Sequence, residues 1–111
     1  MTFQIISPKI LKRHLLAGDI LLLDLRSRQD YEEEHIPQAL WMDWERATAD
    51  VPLLWETYLK EHGCPPAWIA LYCDSGHISL LTARDLATRG YPAMSLNGGY
   101  RQWKAEPDNN P

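Results

Sequence analysis

Three short apolar runs set the limits on how this chain can fold. Ile20-Leu21-Leu22-Leu23 ends at Asp24, Ala67-Trp68-Ile69-Ala70-Leu71-Tyr72 ends at Cys73, and Ala93-Met94-Ser95-Leu96 ends at Asn97-Gly98-Gly99. Each has strand length, and none shows the in–out alternation of a sheet with one wet face. Unbroken apolar runs of this kind suit parallel strands covered on both sides.

Helical patterns fill the intervals. Phe3 to Ile6 reads as a further strand, and Ser7-Pro8 follows as an N-cap with proline at the first helical position. Ile10, Leu11, His14 and Leu15 then recur at helical spacing until Gly18 stops the helix. Asp30 to Glu33 is a short helical stretch broken by His35-Ile36-Pro37, and Leu40-Trp41-Met42 is a short strand. Asp43 to Val51 is ambiguous. Pro52 to His62 reads as a helix burying Leu53, Leu54, Trp55, Tyr58 and Leu59, with Gly63 as its stop. Ile78 to Ala87 is helical, and Gly98-Gly99 turns the chain into a last short helix with Tyr100 and Trp103. Short strands alternating with helices give an α/β domain around a mainly parallel sheet.

At 111 residues one domain is expected, with residues 1–105 forming it and 106–111 a frayed polar tail. The net charge of −4 has no basic cluster, which argues against a nucleic-acid partner. No apolar stretch approaches membrane-spanning length, and the first residues lack the pattern of a secretory signal. The expected compartment is the cytoplasm. The cysteines are Cys64 and Cys73. A strand from Ile69 to Cys73 would hold them roughly 16 Å apart, against the ~7 Å limit for a disulfide, so Cys64 is expected to be unbridged.

Ligands in parallel α/β folds bind beyond the carboxyl ends of the strands. Asp24 and Cys73 occupy such ends. Cys73 also opens a short loop, Asp74-Ser75-Gly76-His77, that runs into a helix. Loop amides and the positive end of that helix both favour a thiolate. Cys73 is therefore the expected site of chemistry. With no second histidine or cysteine at ligand spacing, a metal is not expected.

Four blocks resemble the rhodanese family of sulfurtransferases. Asp24-Leu25-Arg26 is similar to the family's Asp-x-Arg, and Asp30-Tyr31 with His35-Ile36-Pro37-Gln38-Ala39 to its acidic, aromatic and His-Ile-Pro-Gly-Ala block. Tyr72-Cys73-Asp74-Ser75-Gly76 is similar to the Tyr-Cys-x-x-Gly entry of its active loop. Leu96-Asn97-Gly98-Gly99-Tyr100-Arg101-Gln102-Trp103 is similar to its closing Leu-x-Gly-Gly-x-x-x-Trp block. The resemblance implies a three-layer α/β domain, its central sheet flanked by helices. It also implies that Cys73 takes sulfane sulfur from a small donor or a protein relay partner, holds it as a persulfide and passes it to a thiol acceptor. The resemblance implies no organic cofactor.

The resemblance makes Asp74, Ser75, Gly76, His77, Ile78 and Ser79 the substrate loop. Gly76 would bring amides to the sulfur. His77 would either offer a proton to an incoming anion or point at solvent, and Ser79 would cap the helix. Asp24 and Arg26 would shape the pocket, or Arg26 would form an ion-pair cluster with Asp24 or Asp30 that pins the following loop, and His35 would be structural. The tryptophans would belong to the core, with Trp41 and Trp44 as a partner surface if exposed. Gln38 replaces the family's usual glycine, Ile78 an arginine, and Asp74 adds negative charge to a loop lacking Lys and Arg. These departures disfavour a dianionic donor such as thiosulfate, and they admit a non-catalytic binding module as the alternative. A phosphatase is disfavoured because the residue six positions after Cys73 is Ser79, where the phosphate-binding arginine would stand.

Overall fold

A computed structural model describes residues 3–106. Five strands, β1 (Gln4–Ile6), β2 (Ile20–Asp24), β3 (Leu40–Trp41), β4 (Trp68–Tyr72) and β5 (Ala93–Leu96), form one sheet in the order β1-β5-β4-β2-β3. Every pairing is parallel. The helices are α1 (Pro8–Ala17), α2 (Arg28–Glu33), α3 (Ala47–His62), α4 (His77–Thr88) and α5 (Gly99–Ala105).

Alternation along each strand sends successive side chains to opposite faces of the sheet. Leu23, Ile69, Leu71, Cys73 and Ala93 pack with Ala47 and Val51 of α3 and Ala83 and Leu86 of α4. Leu22, Ala70, Tyr72, Met94 and Leu96 pack on the other face with Leu11 of α1 and with Ile36. The unbroken apolar runs are thus explained by a three-layer architecture with both faces dry. Ser7 accepts the Ile10 N–H as expected, and Gly18 closes α1 with φ of +78°.

Two expectations about α3 are corrected. The helix begins at Ala47 rather than Pro52, behind a 3-10 turn at Trp44–Arg46 that Asp43 caps. Pro52 lies inside it, near enough the N-terminus to remove one intrahelical bond without ending the helix. The buried face starts from Ala47 and Val51, one turn apart, which carries Leu53 to the far side, where it is 66% exposed. Trp55, Trp68 and Trp103 pack against the two cores as expected, partly buried, whereas Trp44 is exposed. The tail assigned to 106–111 lies, apart from Glu106, outside the described residues.

Gln38 takes φ of +77°, the left-handed conformation that the glycine of similar chains would occupy without strain. The turn is held by Tyr31, whose hydroxyl donates to the Ala39 carbonyl at 2.8 Å. Left-handed backbone costs an L-residue about 1–2 kcal/mol, whereas glycine loses about 0.5–1 kcal/mol of extra chain entropy on folding. Gln38→Gly is therefore expected to stabilise the fold by about 0.5–1 kcal/mol, read as a higher urea midpoint with an unchanged m-value.

Candidate active site

β2 and β4 are neighbours, but the chain leaves them in opposite directions, towards β3 on one side and β5 on the other. Such a divergence opens a crevice beyond the carboxyl ends of the two strands. Arg26 follows β2 and Cys73 follows β4, so both reach this crevice, a cleft of about 380 Å³ also walled by Trp41, Trp44, Asp74 and Ile78.

Cys73 belongs to the face packed by α3 and α4, and its residue is only 5% exposed at the base of the cleft. Its Sγ accepts the Gly76 N–H at 3.1 Å and the Ser79 N–H at 3.4 Å. Gly76 makes this possible with φ of +101°, turning the loop back over the sulfur just before α4 begins. The sulfur thus sits against two converging amides at the positive end of a helix, a place that favours an anion.

Ser79 does not cap α4, contrary to expectation. Gly76 holds the capping position and supplies no side chain. The buried Ser79 hydroxyl instead lies 3.6 Å from Cys73 Sγ and 2.8 Å from the hydroxyl of Ser95. Ser95 faces the same side of the sheet as Ala93, two residues away, which places it behind the sulfur. Sequence reasoning missed Ser95, although a serine inside an apolar strand signals a buried hydrogen-bond partner.

The expected negative charge of Asp74 is matched from outside the loop. Its carboxylate accepts the Arg101 Nε–H at 2.8 Å, and Arg101 stands on α5. Ser75 and His77 are exposed, while Ile78 lines the cleft. The Gly98-Gly99 turn does more than reverse the chain. A Cβ on Gly99 would come within 2.5 Å of the Cys73 carbonyl oxygen and 2.6 Å of that of Asp74. Because no side chain intervenes, the Tyr100 and Arg101 N–H groups bond those two carbonyls, at 2.8 and 3.1 Å.

Asp24 and Arg26 form an ion-pair cluster that also reaches the cleft. Arg26 donates from Nε and Nη2 to the fully buried Asp24 carboxylate, with the shortest contact 2.8 Å, and from Nη2 to the Glu34 carbonyl. Asp30, the other expected partner, lines the cleft instead. The Tyr72 hydroxyl donates to Asp24 at 2.6 Å and accepts the Ile36 N–H at 3.1 Å. Burial opposes the charge on Arg26, but hydrogen bonding and attraction from Asp24 hold its pKa above the ordinary value. Burial, then the hydrogen bond to Asp24, push the Tyr72 phenol strongly upward. Tyr100, whose ring lies 4.0 Å from the Arg26 guanidinium, is pushed up to about 12 by burial and by its hydrogen bond to Glu34. His35 stacks on Tyr31 with ring centres 3.9 Å apart and donates from Nδ1 to the Tyr31 carbonyl, a structural arrangement.

The Rhodanese-like domain family model matches residues 7–106, which take in the strand-end aspartate, the Cys73 loop and the double-glycine turn. The chain belongs to the rhodanese-like domain family. It is 31% identical over 93 residues to a tRNA sulfurtransferase of Desulfurococcus amylolyticus, covering 81% of this chain and 16% of that protein. It is 28% identical over 89 residues to the adenylyltransferase and sulfurtransferase UBA4 of Candida albicans, covering 79% of this chain and 20% of that one. The chain thus spans a fifth or less of the length of these curated relatives. The human single-domain sulfurtransferase TSTD1 shares the fold with a TM-score of 0.75 at 21% identity, covering 94% of this chain and 97% of that one. The rhodanese homolog TT1651 of the extremely thermophilic bacterium Thermus thermophilus superposes with a TM-score of 0.61 at 29% identity, covering 88% and 98% of the two chains.

In this rhodanese-like domain Asp24 compensates a nearly enclosed guanidinium. Asp24→Ala would leave Arg26 without its counterion and Tyr72 without its acceptor. Breaking such a pair from one side costs about 3–5 kcal/mol, and the expected readout is a matching drop in unfolding free energy by chemical denaturation.

Proposed function

We propose that this domain is a sulfurtransferase in which Cys73 carries sulfane sulfur as a persulfide. The observation that supports this best is the environment of the Cys73 sulfur, at the base of an open cleft with the Gly76 and Ser79 amides directed at it. Those donors suit the Cys73 thiolate, before loading and again when it is regenerated as the sulfur is handed on.

In the first half-reaction the Cys73 thiolate attacks the sulfane sulfur of a donor R–S–SH. The new Sγ–S bond forms as the donor S–S bond breaks. Its electron pair leaves on R–S⁻, which takes the persulfide proton and departs as R–SH. In the second half-reaction an acceptor thiolate attacks the outer sulfur and returns the electron pair to Cys73. No net oxidation occurs, and the two halves give ping-pong kinetics.

The donors that fit are persulfides of low charge, R–S–SH, small or carried on a protein, rather than the dianion thiosulfate. Arg26, the one cation among the residues lining the cleft, is already bound side-on by Asp24. Asp30 and Asp43 line the same cleft without an ion-pair partner among the described residues and repel a dianion, while the charge of Asp74 is matched by Arg101. Ser79 and Ser95 act as positioning residues. The Ser79 and Ser95 hydroxyls share a hydrogen bond of 2.8 Å, and with Ser95 as its donor the Ser79 hydrogen is free to turn from the Gly76 carbonyl, 3.4 Å away, to a thiolate.

Intact-protein mass spectrometry after incubation with thiosulfate, polysulfide or a cysteine-desulfurase system tests the reading. An adduct of about 32 Da, one sulfur atom, is expected on Cys73 and is lost in Cys73→Ser. No adduct from any donor would favour a non-catalytic binding module. Ser95→Ala is expected to slow loading about fivefold, the rate equivalent of one hydrogen bond of about 1 kcal/mol. Ser95→Thr should restore it, and the pH profile of loading should shift in the alanine variant but not in the threonine one.

A further inference from the structure

The Cys73 cleft continues beyond the reach of a small molecule. A second groove, of about 360 Å³, runs between α4 and the start of α3, lined by Glu45, Thr48, Leu81, Thr82 and Asp85. It shares Trp44 and Ile78 with the Cys73 cleft. Trp44 is 48% exposed and Leu81 42% exposed, although both are large and apolar. The two grooves thus form one track, with a reactive sulfur at the bottom of one end and an open aromatic and aliphatic surface along the other. A polysulfide or a small persulfide fills the first part only. An extended segment of polypeptide fills both.

The charges along the track say what kind of segment. Arg26, the one arginine lining either groove, is paired with Asp24, while Arg84 of α4 lines neither groove. Beside the track, Arg101 is paired with Asp74, Arg89 with Asp85, Arg28 with Glu32 and Arg46 with Asp50. Asp30, Asp43 and Glu45 also lie along it, and among the described residues none of them is in an ion pair. Asp43 accepts the backbone N–H of Glu45, which leaves its charge unmatched. The mouth therefore carries an excess of negative charge on both sides of Trp44, and attracts lysine and arginine.

We propose that the sulfur partner of Cys73 is a protein, presenting a cysteine persulfide on an extended segment with basic flanks. This rests on the sulfurtransfer reading above. The partner's cysteine enters the cleft, an apolar side chain beside it lies on Trp44 and Leu81, and its basic residues meet Asp43, Glu45 and Asp30. The chemistry is the first half-reaction already written, with the partner's cysteine as R. Its thiolate leaves with the donor electron pair and takes the persulfide proton, and Cys73 keeps the sulfane sulfur.

Two synthetic peptides test this, each with a central cysteine persulfide next to leucine, one flanked by lysines and the other by glutamates. Loading of Cys73 is followed by mass, with free cysteine persulfide as the small reference donor. The lysine peptide is expected to load Cys73 about tenfold faster than the glutamate peptide at low salt. That ratio should collapse towards one in about 1 M salt, and Glu45→Lys should reduce it. Leu81→Asp should lower the rate with the lysine peptide relative to the small donor. Equal rates for the two peptides, with the small donor still loading, overturn the proposal and leave sulfurtransfer standing. If no donor loads Cys73, sulfurtransfer falls, and peptides with serine in place of cysteine decide docking alone through tryptophan fluorescence. A lysine peptide that binds about tenfold tighter supports the surface, and equal affinities overturn it.

Discussion

The buried carboxylate of Asp24 holds the working end of this domain together. It accepts the hydroxyl of Tyr72, the guanidinium of Arg26 and the Arg26 backbone N–H. Tyr72 is the residue before Cys73, and it lies opposite Asp24 in the register of β2 and β4. One charged group therefore fixes the strand end that leads into Cys73, the start of the loop after β2, and through the Tyr72 hydroxyl the backbone at Ile36. An isolated carboxylate at this depth would be prohibitive, and it is tolerable because every neighbour donates to it.

From that anchor the site follows from simple geometry. Tyr72 and Cys73 are adjacent in sequence and so point to opposite faces. The tyrosine is committed to the polar cluster, and the cysteine is left facing α4. On the far side of the loop, α5 approaches closely enough through Gly99 to bond the carbonyls of Cys73 and Asp74. The loop carrying the sulfur is thus fastened at its start by a charge cluster and along its backbone by a helix end. Its amides are left to face inward.

Much of this is legible in the sequence, and the reasons differ from part to part. The apolar runs and the Ser7, Gly18, Gly63 and Gly98-Gly99 punctuation locate the strands and most helix ends, because those signals are local. The start of α3 is not legible. Pro52 looks like a helix beginning, and only the packing of Ala47 and Val51 against the sheet shows that the helix is already under way. Position alone places Cys73 at a strand end before a helix, where the structure finds it at the base of the cleft beneath two amides. Ser95 and Arg101 escape a sequence reading because they reach the loop from elements 16 and 27 residues beyond the residues they bond. The role of Ser79 is misread for the same reason, since its hydroxyl answers to a strand it does not adjoin in sequence.

The depth of Cys73 has a consequence for timing. With almost none of the residue at the surface, the bare thiol is within reach only of a group that projects into the cleft, such as a donor's persulfide. Adding one sulfur extends the chain of atoms by about 2 Å, which carries the terminal atom towards the mouth of the cleft. A loaded domain would then present a reactive atom where an empty one presents a floor. Distance itself would tell an acceptor which molecules have cargo to collect, with no change of shape in the protein.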